Sequence, residues 1–221
     1  DVVEHFMNRG FMGKAMYIAI DKATAVKMYD KVKKHWALYI DKLEKQLLTC
    51  EPSHYQTIEN KWRYMKDTDM AVVVSSAQNE IEALSKKGVD ITPHRKRMND
   101  EYLAEEFKKV DSKLRLVFVC AMWITGFDAP SVSTLYLDKI LKDHTLMQTM
   151  ARANRVWKDK PDGMIIDYIG IFQQLQKALA IYGNAGIDGS GDDSNPIEDK
   201  NELVRMLVES SLNMNAYLKK K

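Results

Sequence analysis

Short apolar segments alternate along this chain with longer stretches in which apolar residues recur every three or four positions. Segments of the first kind are typical of buried strands, and the others of helices that pack one face on a sheet. Strands that alternate with helices form βαβ units, so the pattern predicts an α/β fold with a mostly parallel sheet and helices on both faces. The five predicted strands are residues 14–20, 70–75, 114–120, 132–137 and 163–169.

The first predicted helix follows residue 20, where Asp21 and Thr24 can cap its N-terminus. We expect its lysines to lie on a solvated face. Further helices are predicted at residues 100–110, 144–153 and 172–182. The apolar face of the first helix comprises Tyr29, Val32, Trp36, Tyr39, Leu43 and Leu47, and that of the second comprises Tyr102, Leu103, Phe107 and Val110.

The composition changes after residue 182. Residues 183–200 contain four aspartates together with Gly, Ser, Asn and Pro196, which predicts a flexible acidic linker. Residues 201–221 return to helical periodicity and predict a helix that starts a further helical region. The sequence therefore predicts one α/β domain over residues 1–182, followed by the linker and the helix.

Charge and cysteine content exclude several classes of protein. The 33 basic and 31 acidic residues leave a net charge of only +2, so a nucleic-acid-binding surface has to be local. Cys50 and Cys120 form no CxxC pattern, which argues against a disulfide framework or a structural zinc site and fits a reducing cytoplasm. No apolar run approaches the roughly 20 residues of a membrane span, and the first residues do not resemble a signal peptide.

Two segments carry the candidate chemistry. Thr125–Pro130 follows the third strand, at the sheet edge where parallel sheets bind ligands, and its glycine permits a close approach to a ligand. Gln148, Arg152 and Arg155 share one helical face if the helix continues to Arg155, and two guanidiniums on one face suit a triphosphate. Taken singly, an ordinary turn and surface arginines are the alternative interpretations.

In this order, the two segments resemble motifs V and VI of superfamily 2 helicases and translocases. The surrounding sequence narrows the resemblance to the restriction (motor) subunit of type I restriction enzymes, and specifically to its second RecA-like lobe. The resemblance covers about residues 1–182, and Ala121 departs from it where an acidic residue is expected. The matching segments include Met122–Pro130, Leu135–Lys139, His144–Val156 and Asp167–Gly170.

The resemblance implies a role for each motif residue. Gly126, Asp128 and Gln148 would face a nucleotide bound mainly by another lobe, and Arg155, or failing it Arg152, would be the arginine finger. Thr125 would lie near the DNA backbone. Ser75 and Ser76, which follow the second strand, are placed to contact phosphates as well. The basic cluster His94–Arg97 is expected in a solvated loop, and Trp123 is expected to pack in the core rather than stack on a ligand.

Three absences limit the predicted activity. The chain has no G-x-x-x-x-G-K-[ST] phosphate loop and no nuclease constellation, and it offers no predicted metal site. The resemblance implies that ATP and Mg²⁺ are bound mainly by a first RecA-like lobe, and that this chain alone is inactive. The implied partners are double-stranded DNA, that lobe and a nuclease domain of the same polypeptide, and the modification and specificity subunits, in a bacterial or archaeal cytoplasm.

Two other functions remain open at this stage. A DNA-binding or docking module could keep the lobe fold without supporting hydrolysis. A self-contained nucleotide-binding enzyme of Rossmann type is disfavoured, because the glycine-rich first turn that it requires is absent.

Overall fold

Five parallel strands form the centre of the molecule in a computed structural model that describes residues 1–10, 13–141, 143–157, 160 and 162–170. The strand order is β2-β3-β1-β4-β5, and all four neighbouring pairs run parallel. The predicted α/β class with a parallel sheet is confirmed. The strands are β1 (Lys14–Ala19), β2 (Asp69–Val73), β3 (Leu114–Val119), β4 (Val132–Asp138) and β5 (Met164–Asp167).

Seven helices accompany the sheet in the described ranges. The cap predicted at Asp21 is confirmed, because its side chain accepts a hydrogen bond of 2.7 Å from the backbone N–H of Thr24. None of these helices combines the length and the apolar character that crossing a membrane requires. The helices are α1 (Val2–Asn8), α2 (Lys22–Thr49), α3 (Pro52–Asp67), α4 (Glu80–Ser85), α5 (Thr92–Asp100), α6 (Leu103–Lys108) and α7 (Asp143–Ala153).

The main core lies where α1, α2 and α3 pack on one face of the sheet. On α2 the predicted apolar face is buried at Val32, Trp36 and Leu43. The Trp36 indole N–H donates a 3.0 Å hydrogen bond to the carbonyl of Met65, so α2 is joined to the end of α3 through a buried polar contact. Burial of this face fixes the long helices against the strands whose carboxyl ends form the candidate site.

Two sequence-based expectations about residues 94–110 are wrong. Tyr102 and Val110 are exposed at 87% and 44%, so only Leu103 and Phe107 of the predicted face of α6 are buried. The basic cluster His94–Arg97 lies in helix α5 rather than in a loop. Its helix starts at Thr92 with Pro93 in the first turn, a position that proline favours because no N–H is needed there.

Four helices have no counterpart in the sequence-based prediction: α1, α3, α4 and α5. For α3 a signal exists, since Pro52 opens it and Ile58, Trp62 and Met65 recur at helical spacing. The predicted helix at 172–182, the linker at 183–200 and the helix at 201–221 lie outside the described residues.

Candidate functional site

The loop from β3 to β4 carries the first set of predicted site residues, and aromatic stacking shapes it. Trp123 and Phe127 stack with ring centroids 4.3 Å apart and an interplanar angle of 8°, and both also stack on the buried Phe107. Trp123 is half-buried and has φ +66, an unusual backbone conformation for a bulky residue. The prediction that Trp123 packs within the protein agrees with these contacts.

Between Trp123 and Phe127 the chain turns toward solvent. Gly126 has φ +69, a conformation that glycine adopts without the steric cost of a side chain. Thr125, Gly126 and Asp128 are all exposed. The turn therefore presents the three motif V residues at the surface, just beyond the carboxyl end of β3, where ligands bind in parallel sheets.

The predicted single face of Gln148, Arg152 and Arg155 does not form, because α7 ends at Ala153. Gln148 is exposed on the helix, and its amide nitrogen lies 2.8 Å from Nε2 of His144. Arg155 follows in an irregular segment. The structure thus presents the three side chains in three different environments.

Arg152 is buried, with 9% of the residue exposed. Its Nη1 donates to the carbonyl of Ile124 at 2.6 Å and also to the carbonyl of Trp123. Burial lowers the pKa of the Arg152 guanidinium, the nearby charge of Arg155 lowers it further, and Asp128 raises it. An arginine nevertheless stays charged at neutral pH, so Arg152 anchors α7 to the β3–β4 loop through charge-assisted hydrogen bonds.

Arg155, in contrast to the buried Arg152, lies at the surface. Its side chain is 53% exposed, and its guanidinium forms an ion pair with Asp128, whose side chain is 61% exposed. Asp128 belongs to the β3–β4 loop and Arg155 to the segment after α7. Of the residues predicted from the two motifs, the structure therefore brings these two together at the surface.

Lys160 and Gly163 hold the end of α7, and sequence reasoning missed both. The Lys160 ammonium is buried among backbone carbonyls, one of which belongs to Ala153. A Cβ on Gly163 would lie 2.4 Å from the carbonyl carbon of Ala153, so only glycine fits there without a shift. The Gly163 N–H donates to the Asn154 side chain at 3.3 Å. The glycine before β5 was the available signal in the sequence, since close backbone approach is a common reason for glycine at such a position.

The loop after β2 carries Ser75 and Ser76, and Arg95 fixes it from α5. Arg95 reaches both carboxylate oxygens of Glu80, at 2.6 and 3.0 Å, and donates to the carbonyls of Val74 and Ser75 at 3.1 and 3.0 Å. Burial raises the pKa of the Glu80 carboxyl, but the hydrogen bonds and charge of Arg95 outweigh burial and leave it below the ordinary value. Arg95, another residue that the sequence-based prediction of the site did not include, thus holds the backbone of the serine loop.

Ser75 and Ser76 line a groove of about 700 Å³ at the carboxyl edge of the sheet. Met122 and Trp123, from the neighbouring β3–β4 loop, form another part of its wall, and the exposed Tyr102 contributes to its rim. Both serines are exposed. The groove joins the loops after β2 and β3, whereas Thr125 is not among its lining residues.

Metal binding has no structural support in the described ranges. No group of three or more His, Cys, Asp or Glu side chains there could hold a metal ion. We therefore assign Mg²⁺ to none of the described residues.

Comparisons with known proteins were consistent with one another. A family model described as "Type I restriction enzyme subunit R domain 3" matches residues 12–170. The putative type I restriction enzyme MjaIXP endonuclease subunit of Methanocaldococcus jannaschii is 38% identical over 83% of this chain, and the HindI endonuclease subunit of Haemophilus influenzae is 28% identical over 84%. This chain spans only 15% and 16% of the lengths of those two proteins.

Among solved structures, the C-terminal domain of the DEAD-box protein Dbp5 aligns with 80% of this chain and 87% of its own length. The sequence identity is 14% and the TM-score is 0.33. A score of this size supports no functional argument, and the α/β class rests on the sheet described above.

Proposed function

The chain belongs to the family of type I restriction enzyme subunit R, domain 3, and on that premise we propose that it is the second motor lobe of an ATP-dependent DNA-translocating restriction subunit. The relatives are named as endonuclease subunits and are several times longer than this chain. In this proposal their additional length supplies the first RecA-like lobe and the nuclease domain. ATP would bind between the two lobes.

The observation that carries the proposal is the exposed ion pair of Arg155 and Asp128. A guanidinium at the surface can reach a phosphate that another lobe presents, which the buried Arg152 cannot do without leaving its carbonyl partners. Arg155 is therefore our assignment for the arginine finger, which stabilises the charge that develops on the transferring phosphoryl group. Arg152 keeps the loop that bears Asp128 attached to α7.

The remaining motif residues would complete the nucleotide and DNA contacts. Gly126 allows close approach of a nucleotide to the backbone, and Gln148 is exposed on the same helix that anchors the loop. Ser75, Ser76 and Thr125 offer hydroxyl groups and backbone N–H groups that suit phosphates and carry no base specificity. This chemistry fits a motor that moves along double-stranded DNA irrespective of sequence.

Translocation in this proposal is a hinge motion of two lobes. ATP would favour the closed arrangement because Arg155 contacts it only there, and hydrolysis would remove that preference. ATP and Mg²⁺ would be held mainly by the first lobe. In the assembled enzyme, which we place in the cytoplasm, the modification and specificity subunits would be the other partners.

The test is Arg155→Ala in the intact restriction subunit, with DNA-stimulated ATP hydrolysis as the measurement. Loss of an arginine finger is expected to lower turnover on the order of 10³-fold. Folding is checked by the melting temperature, and DNA affinity is expected to be unchanged because Arg155 would contact the nucleotide. Wild-type turnover in Arg155→Ala, and in Arg152→Ala combined with it, would instead support a DNA-binding or docking module.

A further inference from the structure

Lys160 makes an unusual set of contacts for a lysine. Only 7% of the residue is exposed, and its ammonium donates to the carbonyls of Ala153 at 2.8 Å, Val132 at 3.2 Å and Pro130 at 3.3 Å. An ammonium has three N–H donors and no acceptor, so three carbonyls match its full capacity. Burial lowers the pKa of the Lys160 ammonium. Burying the charged ammonium costs free energy, and its hydrogen bonds to the three carbonyls offset that cost.

The three carbonyls belong to the two segments that carry the ion pair. Ala153 is the last residue of α7, two positions before Arg155. Pro130 lies two positions after Asp128, and Val132 begins β4. Because the C-terminus of a helix carries partial negative charge, an ammonium against the Ala153 carbonyl is also favourable electrostatically. The buried Lys160 ammonium thus joins the backbone near Asp128 to the backbone near Arg155.

The contacts of Lys160 are complementary to those of Arg152. Arg152 holds the start of the β3–β4 loop, at Trp123 and Ile124, to α7. Lys160 holds the other end of the same loop, at Pro130, to the last residue of that helix. Lys160 and Arg152 thus attach α7 to opposite ends of this loop.

We propose that Lys160 is a positioning residue that sets the placement of Arg155 relative to Asp128, and hence of the arginine finger relative to ATP. This inference rests on the proposed function. The geometric demand is strict, because a displacement of about 1 Å in a catalytic group can lower a rate on the order of 10²-fold. Lys160 itself would touch neither ATP nor DNA.

The experiment places Lys160→Met in the intact restriction subunit and measures kcat and KM for DNA-stimulated ATP hydrolysis. Methionine keeps much of the buried volume and removes the three hydrogen bonds. We expect kcat to fall at least tenfold while KM for ATP changes less than threefold, since the finger acts in the transition state. Lys160→Arg, which retains donors and charge, is expected to recover part of kcat. The matched control is Lys96→Met at an exposed lysine, with wild-type kinetics expected.

A double mutant separates positioning from general loss of stability. If Lys160 acts through Arg155, Lys160→Met combined with Arg155→Ala should turn over no more slowly than Arg155→Ala alone. Independent, multiplying losses would overturn the proposal, as would wild-type kcat in Lys160→Met. If that variant does not fold, Lys160→Gln, which still donates two hydrogen bonds, takes its place under the same criteria. Wild-type turnover in Arg155→Ala would overturn the proposed function instead, so the two failures are distinguishable.

Discussion

At the scale of single residues, the site depends on charged groups that are themselves buried. Arg152 and Lys160 are both buried, and both direct their charge to backbone carbonyls rather than to carboxylates. A hydrogen bond to a carbonyl fixes the position of the backbone, whereas one to a carboxylate fixes only a flexible side chain. Arg152 and Lys160 therefore fix the backbone on which the surface residues Asp128 and Arg155 lie.

Gly163 is a residue at which one added methyl group should destabilise the fold. In Gly163→Ala the added Cβ would lie 2.4 and 2.5 Å from the carbonyl carbon and oxygen of Ala153 and 2.8 Å from the Asn154 nitrogen. The backbone must shift to accept it, and we expect unfolding in urea to show a loss of about 1–3 kcal/mol. The comparison is Gly126→Ala, which meets no atom within 4 Å and should lose only about 1 kcal/mol from its left-handed φ. Equal losses in the two variants would contradict this explanation.

At the scale of elements, hydrophobic periodicity was sufficient to predict the strands and the class of the fold. Strand β3 was expected at 114–120 and is found at Leu114–Val119, because an apolar run of that length has one stable place in a covered parallel sheet. The end of α7 was not predictable in this way. The helix stops at Ala153, whose carbonyl accepts a hydrogen bond from Lys160, while Gly163 donates to the Asn154 side chain. The periodicity of the helix itself does not reveal these contacts with residues later in the chain.

The same limit applies to the basic cluster in α5. Arg95 and Arg97 were expected to be solvated, because sequence reveals charge but not the position of its partner. In the structure Arg95 pairs with Glu80, fifteen positions earlier, and Arg97 pairs with Asp69 at the start of β2. Arg97 thereby fastens α5 to β2, and Arg95 fastens it to the loop that carries the candidate DNA-facing serines.

The Arg95–Glu80 pair should therefore contribute more stability than a surface pair. The two side chains are 18% and 9% exposed, and Glu80→Ala would leave the partly buried Arg95 guanidinium without its carboxylate. We expect a loss of about 2–4 kcal/mol in the free energy of unfolding. Glu82→Ala, which removes an exposed i,i+4 pair with Lys86, serves as the control and should lose less than about 0.5 kcal/mol. A loss of that small size at Glu80 would show that the pair does not hold the loop.

At the scale of the whole molecule, a layer of tyrosines crosses the sheet. Tyr17 and Tyr136 stack with centroids 6.3 Å apart, and Tyr136 stacks on Tyr168 at the same distance. The Tyr17 hydroxyl donates to Asp138 at 2.9 Å. Burial raises the pKa of all three hydroxyls, that of Tyr168 to about 12, and the Asp138 hydrogen bond raises that of Tyr17 further. Ionisation of these groups thus opposes packing across β1, β4 and the segment that follows β5.

This layer predicts loss of stability in alkali. A hydroxyl whose pKa is raised in the folded state stabilises the fold fully below the ordinary pKa of 10, and that contribution is lost as the pH rises above it. We expect the unfolding free energy of the 221-residue chain to fall above pH 10. Tyrosinate absorbance and circular dichroism should change together in a pH titration. Tyr17→Phe, which removes one such hydroxyl, should reduce the slope of this loss, and an unchanged slope would count against the tyrosine layer as its source.

The strand order determines how late the sheet can form during synthesis of the chain. The central strand β1 is paired on both sides with strands that lie roughly a hundred residues later, as in the pairs Ala15 with Leu116 and Lys14 with Val132. At about 5–20 residues per second of synthesis, β1 would remain without either neighbour for about 5–20 seconds after it is made. Pairing over such sequence distances is also slow because the intervening chain must first be closed into a loop. The early helices α1 and α2, made before either neighbour of β1, are the elements that can cover its apolar face during that interval.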